Sequence, residues 1–306
     1  MSPNRSLREK TVSDADLAAL YANPFTLARP AVQTVPFIFA SPHSGAFYPA
    51  SFVAQSRLNL LGLRRSEDAF VDELFASVPT LGAPLLAARF PRVFVDVNRS
   101  PAELDAAMFE GGLSLAVDEK SPRVTAGLGV IPRIVRDGAE IYRGKLEPAE
   151  AEERLTRLFR PYHKALAQLV EETRARFGVA ILIDCHSMPS AAAAPDIVLG
   201  DRYGVSVASC VMRTAERAFE RRGFSVVRNV PYAGGYSTEL HGHPLRQTHA
   251  LQVEINRALY LDEDLIMRGS RFAALKARLG EALREVVAMD TALLRPPART
   301  GSLAAE

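Results

Sequence analysis

Four apolar runs in this sequence end in polar residues equipped for chemistry: FIFASPHSG reaches His43, VFVDVNRS reaches Asn98 and Arg99, AILIDCHS reaches His186, and ALQVEINR reaches Glu254. Two histidines and a carboxylate suit a catalytic Zn2+ ion, or another divalent metal, one per chain. Such a site takes three protein ligands and keeps a position for water. His43 and His186 form the imidazole pair. For the third ligand, the first acidic residues after His43 are Glu67 and Asp68. Asp68 is favoured because it falls at the start of an expected helix, where a carboxylate is electrostatically comfortable. The same comfort would account for Asp68 as a helix-terminal charge and nothing more.

A bound metal lowers the pKa of water toward neutrality, and a nearby carboxylate can then pass the water's proton to a departing amine. Glu254, set among the apolar residues of HALQVEINRALY, is the candidate. Its burial must be offset by a metal-bound water, a positive partner or strong hydrogen bonds, and an ion pair with Arg257 or Arg99 would do so without catalysis. Arg99 is always charged and forked, suited to gripping a substrate carboxylate or stabilising an oxyanion, with Asn98 as an added donor. The segment YAGGYSTELHGHP offers Gly234, Gly235 and Tyr236 for a ligand-facing loop. A rival mechanism makes Cys185 the nucleophile, because it adjoins His186. Neighbours in an extended strand point to opposite faces, which keeps that pair apart.

The elements that must position these residues follow from hydrophobic period. Strands are expected over 35–40, 93–97, 179–184, 196–199, 224–227 and 250–255, mostly as near-continuous apolar runs of the kind buried on both faces. Helices are expected over 67–78, 148–177 with a kink or break at Pro161, 205–222, and 262–288 with weak points at Gly269 and Gly280. Strands alternating with helices give an α/β fold of three layers, α/β/α, around a central sheet. In open α/β sheets ligands bind outside the carboxyl ends of strands, so the four polar endings point to one crevice. Residues 1–290 read as a single catalytic domain, and 291–306, rich in Pro, Gly, Ser and Ala, as a flexible tail.

Composition closes off other classes. Of 306 residues, 37 are Lys or Arg and 35 Asp or Glu; the resulting +2 gives no one-sided charge for nucleic acid or an anionic membrane. There is no run of about 20 apolar residues to cross a bilayer, and the opening MSPNRSLREKTVSDADLAALY has no signal-peptide core. Two cysteines outside any C-x-x-C pair suggest a reducing cytoplasm. Neither a dinucleotide-binding glycine fingerprint nor a P-loop is present, and no repeat of fixed period occurs.

Several motifs in register carry a resemblance. PHSG (42–45), EDAFVDEL (67–74), VDVNRSP (95–101), IPRI (131–134), PYHKAL (161–166), IDCHSMPS (183–190) and the span from GGY to VEINRALYLDE (234–263) resemble the N-formylglutamate amidohydrolases. The resemblance implies a central mixed, largely parallel sheet of zinc carboxypeptidase-like fold and one divalent metal held by His43 and His186. It also implies Asn98 and Arg99 on the substrate and Glu254 as the catalytic glutamate. The implied reaction is hydrolysis of the C–N bond of a small N-acyl amino acid, such as N-formyl-L-glutamate in histidine breakdown. One position departs: an arginine expected after GGY-x-T, to hold the substrate's acidic side chain, is Glu239 here. Arg133, Arg143 and Arg257 are the candidate replacements, and a related deacylase with another N-acyl amino acid substrate is the nearest alternative.

Overall fold

The apolar runs become a sheet buried on both faces. The computed structural model describes residues 15–191 and 194–295. Its principal strands are β1 (Phe25–Ala28), β2 (Phe37–Ser41), β3 (Leu85–Ala88), β4 (Ala180–Met188), β5 (Ile197–Gly200), β6 (Val226–Arg228) and β7 (Thr248–Asn256). They form one seven-stranded sheet in the order β1-β3-β2-β4-β7-β5-β6. Strands β3, β2, β4 and β7 run parallel, while β1 and the β5–β6 pair run against them. A mixed, largely parallel sheet is therefore what the sequence builds.

Alternation along each strand divides the core in two. Phe37, Phe39, Ile181, Ile183, Cys185, Leu251 and Val253 face the helices Ser209–Glu220 and Phe272–Val287, meeting Val211, Phe219, Leu279 and Leu283. Ile38, Ala40, Leu182 and Ala250 face the opposite layer, where Tyr162, Leu166 and Leu169 of the helix Arg160–Phe177 pack. The outcome is helix, sheet, helix. Each large side chain so buried contributes roughly 1.5–3 kcal/mol.

Several expected elements differ. Residues 93–97 are not a strand: Phe94 and Val95 donate to the carbonyl of Pro91, and Asp96 donates to Val130, so the run folds as turns with its apolar side chains in the core. An apolar run reports burial before it reports conformation. The strand beside β2 is instead LLAA at 85–88, which carries no β-branched residue to announce it. The expected helix over 67–78 shrinks to Val71–Leu74 and a 3-10 turn at Val78–Leu81. Residues 148–177 stay helical throughout, because a π turn at Leu155–Phe159 precedes Pro161 and widens the coil where its ring would strike the preceding turn. The helices expected over 205–222 and 262–288 begin later, at Ser209 and Phe272, and Gly280 lies inside an unbroken helix. Of the tail expected over 291–306, residues 296–306 lie outside the described residues, and Leu294 is buried in a 3-10 turn. Among the described residues no helix is long and apolar enough to cross a membrane.

Because β2, β4 and β7 are adjacent and parallel, their carboxyl ends share one edge. His43 follows β2 by two residues, His186 rides on β4, and Glu254 rides on β7 in register with His186. These three candidate residues are thereby brought to one edge.

Candidate metal centre and active-site cavity

On β4, the two-residue period puts Asp184 and His186 on one side and Ile183 and Cys185 on the other. Cys185 is fully buried in the apolar layer, its thiol donates to the Ile183 carbonyl at 3.5 Å, and burial raises its pKa well above the ordinary value. A nucleophilic thiolate needs the opposite surroundings. His186 turns its Nε2 to Asp184 Oδ2 at 2.9 Å and to the Asn98 amide at 3.1 Å, and its Nδ1 to Asp68 Oδ2 at 3.1 Å.

His43 has the same design. Its Nε2 lies 2.7 Å from Asp96 Oδ1, and its Nδ1 lies 3.4 Å from the same Asp68 Oδ2 with no hydrogen-bond partner, although the atom is buried. Each ring thus gives one nitrogen to a supporting carboxylate, the arrangement that orients histidine ligands in metal sites. The other nitrogens, with the Asp68 oxygen, converge: one ligand atom from each of the three residues lies within 4.8 Å of the others. Two imidazole nitrogens and a carboxylate oxygen aimed at one buried spot need positive charge between them, which a proton on His186 or a bound cation supplies. A divalent cation fits that donor set.

Asp68 reaches the trio because its backbone N–H donates to the His43 carbonyl at 3.0 Å. Its second oxygen accepts from Arg257 Nη2 at 2.9 Å. Burial pushes the Asp68 pKa up, but the hydrogen bond from His186, the proximity of His43 and the charge of Arg257 outweigh it and hold the carboxyl well below its usual range. Burial likewise pulls His186 down, yet Asp184 and Asp68 prevail and raise it well above the ordinary imidazole value. Glu67, the other acidic candidate, turns away to Arg64 at 3.0 Å and the Tyr48 hydroxyl at 3.0 Å.

Beside the trio lies a cavity of about 200 Å³ lined by Asp68, Arg92, Asp96, Arg99, Glu254 and Arg257 together with flanking residues. Glu254 accepts from Gln252 Nε2 at 2.9 Å. Burial, reinforced by Asp68 and opposed chiefly by His186, pushes its pKa from 4.5 up to about 7, the poise of a group that can take and return a proton near neutrality. Arg99 is fixed by donating to the carbonyls of Leu128 at 3.2 Å and Asn98 at 2.9 Å.

Other expected residues stand further off. Asn98 supports His186 and receives the Ser237 N–H at 2.8 Å, so it is a brace for the centre. Gly235 packs against that brace so closely that a Cβ would come within 2.4 Å of the Asn98 amide nitrogen. Tyr236 points behind it, stacking near Phe159 and His163. Arg133 pairs with Asp105 at 3.3 Å and lines a separate hollow with Arg143. Glu239 is 60% exposed, is bound to Arg202 and does not line the cavity. The supporting Asp96 and Asp184 were within reach of the sequence, since each precedes a chemistry-bearing residue by two. Arg92, Arg136 and Tyr232 had no such signal.

Fold and site together define the class: a three-layer α/β protein with a buried His-Asp-His centre that could hold a metal beside a charged cavity, and comparison with known proteins makes it a hydrolase of a linear amide C–N bond. The N-formylglutamate amidohydrolase family model matches residues 35–261. The N-formylglutamate deformylase of Pseudomonas aeruginosa is 30% identical over 267 residues, covering 83% of this chain and 90% of that protein. Its Pseudomonas putida counterpart is 29% identical over 244 residues, covering 75% and 83%. A solved structure of an N-formylglutamate amidohydrolase from Ralstonia eutropha JMP134 superposes with a TM-score of 0.80 at 37% identity, covering 86% of this chain and 96% of that one. The chain belongs to the N-formylglutamate amidohydrolase family.

Proposed function

We propose that this protein hydrolyses the amide C–N bond of an N-formyl amino acid, with N-formyl-L-glutamate as leading substrate and formate and glutamate as products. The observation that carries the reading is the buried convergence of His43 Nδ1, His186 Nδ1 and Asp68 Oδ2 beside a glutamate poised near neutrality. In it, His43, Asp68 and His186 hold one divalent ion, zinc in the proposal. When bound, the ion supplies a Lewis acid that polarises the formyl oxygen and makes water more acidic.

The chain's own residues do the rest. Glu254 takes a proton from water as the water oxygen bonds to the formyl carbon, then delivers it to the amide nitrogen as the C–N bond breaks. Arg99, its plane fixed by two carbonyls, receives the substrate carboxylate. Asp96 and Asp184 hold the two imidazoles in the tautomer that leaves Nδ1 toward the centre. A degradative role, as in histidine breakdown, belongs to the same reading, and the free thiols Cys185 and Cys210 fit a reducing compartment such as the cytoplasm.

The test is a panel of N-formyl, N-acetyl and N-succinyl amino acids given to zinc-loaded and chelator-treated protein. Formate release from N-formylglutamate that ends with chelation and returns with zinc is expected. Turnover of only the longer acyl groups would move the protein to a related deacylase, and activity indifferent to chelation would remove the metal.

A further inference from the structure

The cavity wall carries four guanidinium groups, Arg92, Arg99, Arg136 and Arg257, against three carboxylates, Asp68, Asp96 and Glu254. Their commitments differ. Arg92 is tied to Asp96 at 2.7 Å and Arg257 to Asp68 at 2.9 Å, so both charges are answered where they stand. Arg99 is held by two carbonyls, with its nearest carboxylate, Asp96, at 3.9 Å. Arg136 makes no side-chain hydrogen bond among the described residues, and its nearest carboxylate, Glu263, stays 3.6 Å away.

The backbone under Arg136 is nonetheless fixed. Its N–H donates to Ser66 Oγ at 3.0 Å, the turn that carries it is closed by a bridge between Ile134 and Glu140, and the next residue, Asp137, pairs with Arg65 at 2.5 Å. These two cations, whose ion pairs are long at 3.9 and 3.6 Å, also sit at different depths: the Arg99 side chain is 17% exposed and that of Arg136 48%. Burial and the nearby charge of Arg257 lower the Arg136 pKa, and the looser pairing with Glu263 offsets them only in part. An anionic ligand supplies what is missing, because charge-assisted hydrogen bonds are the strong ones.

We propose that Arg136 is a specificity residue: it receives the carboxylate remote from the scissile amide, while Arg99 holds the carboxylate adjacent to it. The substrate class is then the dianionic N-formyl amino acids. This rests on the deformylase reading above and sharpens it.

The experiment compares metal-loaded wild type and Arg136→Gln on N-formylglutamate and N-formylglutamine, which differ in the distal charge. KM for N-formylglutamate should rise about tenfold with kcat kept, the effect of losing one charge-assisted hydrogen bond. KM for N-formylglutamine should stay as it was, and Arg136→Lys should restore part of the difference. An equal change for both substrates, or none for either, overturns the assignment. Calorimetric binding to zinc-loaded Glu254→Gln protein, with and without Arg136→Gln, separates the two readings. An Arg136-dependent preference for the dicarboxylate ligand, in a protein whose wild type turns over no formyl amino acid, removes the reaction and keeps the site. No such preference in binding removes the site.

Discussion

The two halves of the centre are built differently. His186 and Glu254 lie on adjacent central strands, β4 and β7, with their Cα atoms in register and hydrogen-bonded ladders on either side. His43, Asp68, Asp96, Arg99 and Arg136 lie on connecting segments beyond strand ends. The strand half is positioned by the sheet. The loop half is positioned by side chains acting on one another: Arg92 on Asp96, Asp96 on His43, and Arg257 on Asp68. A site assembled this way takes His186 and Glu254 from the rigid element and most of its charge pattern from the loops, which are freer to change without loss of the core.

That contrast can be broken in graded steps. Replacing the proposed strand-borne proton carrier, Glu254→Gln, should lower kcat by about 10²–10⁴-fold while one metal per chain remains bound, as measured by steady-state kinetics and elemental analysis. The same substitution should also expose the strain of that burial in metal-free protein. With a folded pKa of about 7 above the ordinary 4.5, the native state holds a proton that the unfolded chain releases in this window, so stability falls as pH rises through it. Glu254→Gln should therefore stabilise the metal-free protein by roughly 3 kcal/mol above pH 7 and by nothing below pH 4.5, read from denaturant melts across pH.

The supporting carboxylates compare the halves directly. Asp96→Asn, on the loop side, should weaken metal affinity by about 100-fold, and Asp184→Asn, where the ladder already fixes His186, by about tenfold, in competition titrations with a chelating dye. Equal losses would mean the sheet adds nothing to orientation. At the small end, Glu239→Ala and Arg133→Ala should leave kcat/KM on N-formylglutamate within about twofold, because both side chains answer other partners outside the cavity.

The same division decided what could be read from the sequence. His186 and Glu254 end long apolar runs that are true strands, so their place in the candidate site was legible from the runs themselves. His43 was legible from its strand, and Asp68 only as one of two adjacent acids, because the choice between it and Glu67 depends on which way a short segment turns. VFVDVNRS showed its burial but not its conformation: the run is buried as turns, and no periodicity separates the two over five residues. Arg136 and Tyr232 enter the cavity from loops, the backbone of Arg136 tied to Ser66 seventy residues earlier in the chain, and a local pattern does not encode such distant contacts. The order of the sheet lay equally out of reach, since pairing β4 with β7 joins segments some sixty residues apart.

The most direct measurement is the divalent metal content of purified wild type and of His43→Ala and His186→Ala proteins of matched circular dichroism. One ion per chain in the wild type and none in either variant is the expected result. A folded wild type without stoichiometric metal after exposure to zinc, or a variant that keeps its full complement, would contradict the convergence of those two imidazoles on a single cation.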